Sequence, residues 1–264
     1  MTAPPMSAPR NTAPRFARAL LTNDDGIDAP GMAALAEVAA TLAGEVWIVA
    51  PEHDRSGASR SVSLHDPLRL YPRGPRRIAV AGTPADCAIL GIRQVMADAP
   101  PDIVLSGINR GANIGDEVPY SGTVAAAMTA RLFGIPALAL SQAFRDRTQV
   151  RWETARAWLP RVLDWLDGRP GWDRTVLNIN FPDVAPDAVT GIDVARQSGG
   201  SLVGVDVEGR TDTRGLSYHW LAFRRQAGEQ GDGTDVAVLR RHAVAVTPLG
   251  NDLTDHTALA ALRG

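Results

Sequence analysis

The chain has 264 residues, which is enough to bury a core and to form one or two domains. Its 27 basic and 29 acidic residues give a net charge of −2, so bulk electrostatics does not favour a nucleic-acid polymer as a partner. The single cysteine, Cys87, excludes an internal disulfide, a cysteine-rich zinc site and an iron–sulfur cluster held by this chain alone. The chain has no lysine, which excludes a Walker P-loop, Schiff-base catalysis and a lysine general base.

Residues 1–15 are rich in Ala, Pro, Thr and Ser and lack the apolar core of a signal peptide. We therefore expect a flexible N-terminal tail on a cytoplasmic protein. Apolar runs in the rest of the chain reach about ten residues, which is too short to span a bilayer. No membrane partner is expected.

Strand-like apolar runs alternate with helix-like segments up to residue 180. In chain order the pattern predicts a strand over Arg18–Thr22, a helix over Pro30–Leu42, a strand over Glu45–Ala50, a helix over Thr83–Met96, a strand over Asp102–Ser106, a helix over Ser121–Phe133, a strand over Pro136–Ser141, a helix over Arg151–Leu166 and a strand over Thr175–Asn180. Buried strands joined by helices indicate an α/β fold in three layers, with a parallel sheet between two layers of helices.

The C-terminal third has a different pattern. Thr190–Arg225 has short alternating stretches with glycine breaks, which predicts projecting β-hairpins, and Arg224–Thr234 is predicted to be a mobile turn. A strand over Ala243–Pro248 and a helix over Thr254–Leu262 follow. We find no internal repeat and no linker, so we expect a single domain over residues 16–264, with residues 190–225 as a projecting extension. Its apolar residues predict exchange with a second subunit, and therefore a homodimer as the minimum unit.

The acidic turn Asn23-Asp24-Asp25-Gly26 follows the first predicted strand. Two adjacent carboxylates repel each other, and binding a hard cation through oxygen relieves that repulsion. The alternative is a polar turn in which an aspartate caps the next helix. The position at a strand end of an α/β sheet, where ligands bind, favours the metal interpretation.

Two further polar segments follow predicted strands. Ser56-Gly57-Ala58-Ser59 offers hydroxyl oxygens, although a plain Gly/Ser loop explains this segment equally well. The segment from Ser106 to Gly115 contains three glycines and two asparagines, Asn109 and Asn113. Such a segment packs poorly but suits a loop whose backbone approaches a ligand while asparagine carbonyls face a cation.

Tyr120-Ser121-Gly122-Thr123 opens the helix that follows this loop. A serine at the N-cap, a glycine that permits close approach and free amides in the first turn are typical of a phosphate-binding helix start. A plain N-cap accounts for Ser121 equally well.

Two other residues have a recognisable pattern. Cys87 and Arg93 match the C-x5-R spacing of cysteine phosphatases, but the residues between them are apolar at helical spacing, so we interpret Cys87 as a core residue. His256 lies near Asp252 and Asp255 and is a weak candidate for the acid that protonates a leaving group; an exposed histidine in the last helix is the alternative.

These motifs together resemble those of the SurE family, the stationary-phase survival proteins. The resemblance covers most of residues 18–256 and is carried in the family's order by LLTNDDGIDAPG, VAPEHDRSGAS, GTPADC, PDIVLSGINRGANIGDEVPYSGTVAAAM, DTRGLSYHW, GTDVAVL and VTPLGNDLTDH. Arg110 departs from the family pattern, which commonly has a small residue there, and the N-terminal tail has no counterpart.

The resemblance implies a Rossmann-like core with a C-terminal hairpin extension, exchanged between subunits of a dimer that often pairs into a tetramer. It implies a metal-dependent phosphatase acting on nucleoside 5′-monophosphates, with 3′-monophosphates as a further substrate left open. The implied metal ligands are Asp24, Asp25, Ser56 and Asn109, of which Asp24, Asp25 and Asn109 are also the catalytic residues, and the phosphate site is the turn Ser121-Gly122-Thr123. Their oxygen chemistry suits Mg²⁺ or Mn²⁺. The alternatives are a broad phosphomonoesterase or exopolyphosphatase, and a nucleotide-binding module without turnover.

Overall fold

The computed structural model describes residues 13–200, 202–226 and 231–263. A nine-stranded sheet forms its centre, with the strand order β3-β4-β2-β1-β5-β6-β7-β11-β8. The strands are β1 (Phe16–Thr22), β2 (Ala43–Pro51), β3 (Leu70–Gly74), β4 (Arg77–Val80), β5 (Ile103–Arg110), β6 (Ala137–Gln142), β7 (Val176–Phe181), β8 (Ile192–Val194) and β11 (Val244–Leu249). A separate hairpin consists of β9 (Leu202–Thr211) and β10 (Ser217–Arg225).

The helices are α1 (Pro30–Leu42), α2 (Pro84–Leu90), α3 (Gly122–Leu132), α4 (Trp152–Leu166), α5 (Asp235–Arg240) and α6 (His256–Arg263). One hydrophobic cluster joins α1 and α4 to the sheet, and a second joins α2 and α3 to it. Because the two clusters share the sheet strands as their common wall, the core has three layers. The predicted α/β fold class is confirmed.

The sheet is mixed at its edges, whereas the prediction was a parallel sheet. Strands β1, β2, β4, β5, β6 and β7 run parallel, but β3 is antiparallel to β4 and β11 is antiparallel to β7. The prediction missed β3 and β4, which bracket a tight turn, and it missed α5, which Thr234 caps by accepting a hydrogen bond from the Ala237 amide at 3.2 Å.

Most predicted elements agree with the structure to within one or two residues at each end, but two end at clearly different residues. The predicted helix Thr83–Met96 starts with the capping box of Thr83 and Asp86, but its α-helical part ends at Leu90 and a wider π-turn covers Gly91–Val95. The third predicted strand does not stop at Ser106, because β5 continues through an irregularity to Arg110. Gly107 permits this passage: its φ is +144°, and a Cβ there would lie 2.3 Å from the Leu140 carbonyl oxygen.

Two of the predicted segments lie partly outside the residues that the structure describes. Residues 1–12 of the predicted tail, and residues 227–230 of the predicted mobile turn, lie outside the described residues. The Arg15 side chain donates to the Leu163 carbonyl at 2.6 Å and to Asp164 at 3.2 Å, so it contacts the end of α4. Among the described residues no helix is both long and apolar enough to cross a membrane.

Strand order places one crevice at the centre of the sheet. The chain leaves β1 towards β2 on one side and returns to β5 on the other, so the order reverses between β1 and β5. Thr22, the last residue of β1, pairs with Ser106, and beyond this pair the two strands separate. In open α/β sheets such a reversal point is where ligands bind. The acidic turn and the glycine-rich segment both start there.

Cys87 is fully buried in α2 and belongs to the second hydrophobic cluster. Burial, reinforced by the charge of Asp86, raises the pKa of its thiol well above the usual value. This is the opposite of what a nucleophilic thiolate needs.

We therefore expect Cys87→Ser to leave any catalytic activity unchanged while losing about 1–3 kcal/mol of unfolding free energy, because it buries a hydroxyl in an apolar site. Denaturant unfolding beside an activity assay measures both quantities, and Cys87→Ala is the matched control that introduces no polar group. Loss of turnover in a well-folded Cys87→Ser protein would mean that the thiol takes part in chemistry.

Candidate functional site

The acidic turn after β1 does not cap the next helix. Helix α1 starts at Pro30 after Ala29, which provides no side-chain cap. The Asp24 side chain instead accepts a hydrogen bond from the Thr123 hydroxyl at 2.5 Å, and Asp25 accepts one from the Arg110 amide at 2.9 Å. The alternative prediction, an acidic residue capping α1, is therefore wrong, and both carboxylates face elements across the crevice.

Gly122 lets the start of α3 approach Asp24 closely. A Cβ at this position would lie 2.7 Å from the Asp24 Cβ and 2.9 Å from Pro84 Cγ. Any other residue would push α3 away from the acidic turn. The sequence analysis interpreted Gly122 as the residue that lets a phosphate approach the helix. In the structure, its missing side chain lets the Asp24 carboxylate approach the helix.

Each member of the predicted phosphate-binding turn has a distinct environment. Ser121 is the N-cap of α3, and its hydroxyl accepts from the Val124 amide at 3.1 Å. Thr123 is fully buried with its hydroxyl on Asp24. The structure thus assigns the Thr123 side chain to orienting Asp24, and Ser121 is the member of the turn that lines the cavity described next.

A cavity of about 760 Å³ opens at the reversal point. Four of the predicted site residues line it: Asp24, Ser56, Asn109 and Ser121. Asp25, Gly122 and Thr123 are not among its lining residues, although each contacts one that is.

The donor set fits a hard divalent cation. Hydrogen bonds to Thr123 and Arg110 fix the two carboxylates. The Asn109 amide nitrogen donates to the Gly111 carbonyl at 2.8 Å, so the Asn109 carbonyl oxygen is the atom of that amide that can accept. Within the described residues no group of three or more His, Cys, Asp and Glu side chains suits a metal, so a cation held by the two carboxylates would need neutral oxygens, such as those of Asn109 and Ser56, as further ligands.

Burial makes the acidic pair costly without a cation. Burial raises the pKa of Asp24 from its ordinary 3.8 to about 6. The hydrogen bond from the Thr123 hydroxyl opposes this rise, and the charge of Asp25 adds to it. The pKa of Asp25 is also raised, again mainly by burial, while the Arg110 amide and guanidinium oppose the rise. A cation between such carboxylates would offset both the desolvation and the mutual repulsion.

A buried amide network that the sequence analysis missed holds the glycine-rich segment in place. The Asn113 backbone amide donates to the Asn180 side-chain oxygen at 2.8 Å, and the Asn113 side-chain nitrogen donates to the Ser141 hydroxyl at 2.9 Å. The Asn178 and Asn180 side-chain nitrogens donate to the Asn113 carbonyl at 2.7 and 3.1 Å. The NIN sequence of β7 is the available signal, since asparagine is unusual in a buried strand.

His256 lies elsewhere. Its side chain is 72% exposed and its Nε2 lies 2.9 Å from an Asp252 carboxylate oxygen. It is not among the residues that line the cavity at Asp24. This environment matches the alternative interpretation, an exposed histidine at the start of the last helix.

Comparison with known proteins agrees with the geometry. The family model described as Survival protein SurE matches residues 19–202. This chain belongs to the SurE family. Its relatives include "5'-nucleotidase SurE 1" of Burkholderia lata, 51% identical over 96% of this chain and 98% of the relative, and "5'-nucleotidase SurE" of Methylocella silvestris, 48% identical over 92% and 96%.

A solved SurE structure from Aquifex aeolicus has the same fold. It is 34% identical, superposes with a TM-score of 0.78 and covers 93% of this chain and 98% of that one. The similarity therefore includes the C-terminal third, beyond the segment that the family model matches.

The raised pKa of Asp24 predicts a specific pH dependence of the metal-free protein. The folded state binds this proton more tightly than the unfolded state, so the contribution of Asp24 to stability is most favourable below pH 3.8 and is lost as the pH rises through about 6. Asp24→Asn should thus stabilise the metal-free protein by up to about 3 kcal/mol at pH 7.5, and by much less at pH 4.

Chemical denaturation in the presence of a chelator, at both pH values, measures this difference. Asp98→Asn is the control, because Asp98 is exposed and lies away from the site. A destabilising or pH-independent effect of Asp24→Asn would show that the ionised Asp24 carboxylate is not a cost to the metal-free fold.

Proposed function

We propose that this chain is a metal-dependent phosphatase that hydrolyses nucleoside 5′-monophosphates to nucleoside and phosphate. The observation that carries the proposal is the buried Asp24 carboxylate, held at the reversal point of the sheet against the first turn of α3. The names of the relatives from Burkholderia lata and Methylocella silvestris, at about half identity over nearly the whole chain, support the same activity.

The proposed metal ligands are Asp24, Asp25, Ser56 and Asn109, and Mg²⁺ or Mn²⁺ suits their oxygen atoms. Such an ion supplies charge neutralisation for the phosphate and a water of lowered pKa. The chain itself fixes Asp24 through Thr123, Asp25 through the Arg110 amide and Asn109 through Gly111. Ser56 is exposed in a loop, and its backbone amide donates a hydrogen bond to the Asp54 carboxylate at 2.8 Å.

The phosphate binds at the start of α3 in this proposal. The first-turn amides and the helix dipole favour an anion there, and these donors stabilise charge on the nonbridging oxygens during attack. Arg110 lines the same cavity and adds a positive charge there. His256 is not proposed as the leaving-group acid, because it does not line this cavity.

Removing the acidic pair should abolish turnover. We expect Asp24→Asn and Asp25→Asn each to lower kcat/KM for AMP by on the order of 10³-fold, because each loses charge needed to hold the ion. Phosphate release after chelation and re-addition of Mg²⁺ or Mn²⁺ measures this effect, and a panel of 5′- and 3′-nucleotides and short polyphosphate defines the substrate range.

The matched control is Asp28→Asn in the same loop, since the Asp28 side chain is 77% exposed and pairs with Arg77 at 2.8 Å. Wild-type rates in a protein that lacks both Asp24 and Asp25 carboxylates would contradict the proposal.

We further propose a cytoplasmic homo-oligomer with one domain over residues 16–264. The hairpin supports this assembly, because one of its faces is apolar and exposed: β9 pairs with β10 so that Val207 lies opposite Leu221, and these side chains are 62% and 72% exposed. A two-stranded ribbon with such a face is marginal in water unless another surface covers it.

Light scattering should therefore give at least twice the chain mass of 28.0 kDa at micromolar concentration. Val207→Glu should reduce the mass towards that of one chain, whereas Arg210→Glu on the same strand keeps the apolar face and serves as control. A wild-type monomer across this concentration range would contradict the proposed assembly.

A further inference from the structure

The cavity has a second wall that the metal and phosphate proposals do not use. Apart from the polar residues already described, it is lined by Val205, Leu221 and Phe223 of the hairpin, together with Tyr120 and Phe144 of the core. The Tyr120 and Phe223 rings lie 5.2 Å apart between centroids and are inclined at 51°. We call these five residues the apolar wall.

Strand pairing explains why the hairpin presents apolar atoms here. Phe223 pairs with Val205 and Leu221 pairs with Val207. Side chains two residues apart share a face of a strand, so these four lie on one face of the hairpin. Trp220, on the opposite face of β10, is not among the residues that line the cavity.

An ion pair holds the base of the hairpin against the core. The Arg225 guanidinium donates to the Glu117 carboxylate through two nitrogens at 2.5 and 2.7 Å. Glu117 lies in the short 3₁₀ helix Gly115–Tyr120 that immediately precedes Ser121. Because Arg225 neutralises Glu117, this carboxylate at the cavity edge repels an incoming phosphate less strongly.

We infer that the apolar wall is the nucleobase subsite of this enzyme, an inference that rests on the proposed phosphatase function. Tyr120 directly precedes Ser121, the residue at the proposed phosphate position, so wall and phosphate turn are adjacent in one cavity. In a nucleoside monophosphate the base lies one sugar away from the phosphate. A base that extends from the start of α3 towards the hairpin meets aromatic and aliphatic side chains.

The chemistry of the wall sets the kind of recognition. Aromatic rings and aliphatic side chains contact the faces of a base, and every base has such a face. The subsite therefore accepts purines and pyrimidines, with larger purines gaining more contact area. Tyr120 is 47% exposed in the chain alone, so its ring can contact a ligand, whereas Leu221 also belongs to the hairpin face that we propose a second subunit covers.

The test compares two substrates that differ in the base alone, AMP and ribose 5-phosphate. Phe223→Ala and Tyr120→Ala should each lower kcat/KM for AMP by about tenfold, mainly through KM, because stacking contributes to binding before the phosphate reacts. Hydrolysis of ribose 5-phosphate should stay at the wild-type rate, and Tyr120→Phe should restore AMP hydrolysis. Trp220→Ala is the matched aromatic control on the other face of β10.

Equal losses of kcat/KM on both substrates would overturn the inference, because the wall would then act on the phosphate site. An unchanged kcat/KM for AMP would overturn it as well. Equilibrium binding of AMP and ribose 5-phosphate repeats the comparison without turnover. A wild-type protein that hydrolyses neither compound would refute the proposed function. The binding measurement would still test the subsite in that case. Weaker AMP binding by Phe223→Ala would support the subsite, and unchanged AMP binding would overturn it.

Discussion

The site depends on a carboxylate, Asp24, that is buried where the first turn of α3 meets the end of β1. Its burial raises its pKa to about 6, and the Thr123 hydroxyl and the missing side chain of Gly122 hold it in place. A buried ionised group is tolerated when compensating charge is supplied, which is what a divalent ion does in a metal-dependent enzyme. Without such compensation the fold carries a local cost at Asp24, and costs of this kind are common at active sites.

Sheet topology determines which segments meet at that carboxylate. The strand order reverses between β1 and β5, and in open α/β sheets such a reversal opens a crevice at the carboxyl ends of the strands. The acidic turn reaches this crevice because it follows β1 directly, Asn109 because it lies in the last part of β5, and the start of α3 because it follows the 3₁₀ helix after β5. Further support comes from β7, whose Asn178 and Asn180 bond to the Asn113 backbone.

The C-terminal third of the chain contacts the residues beside the cavity through hydrogen bonds and an ion pair. Asp235, fully buried at the start of α5, accepts hydrogen bonds from the Gly115 amide at 2.9 Å and the Ser198 amide at 3.0 Å. Together with the Glu117–Arg225 ion pair, this brings both ends of the hairpin segment to the 3₁₀ helix that precedes α3. The extension therefore helps to shape the cavity.

The sequence by itself determined the fold class, the order of the main strands and helices, and the family, because apolar periodicity, helix caps and the linear motifs around Asp24 and Asn109 are local properties. It also indicated that Cys87 is a core residue, since the residues around it have helical apolar spacing. Tertiary structure decided the rest. The capping alternative for the acidic turn was rejected only by its contacts with Thr123 and Arg110, which lie 99 and 85 residues away. Four further features depend on partners far apart in the chain: the antiparallel placement of β11, the extension of β5 to Arg110, the amide network on Asn113 and the apolar wall. Periodicity within one segment contains no information about such partners.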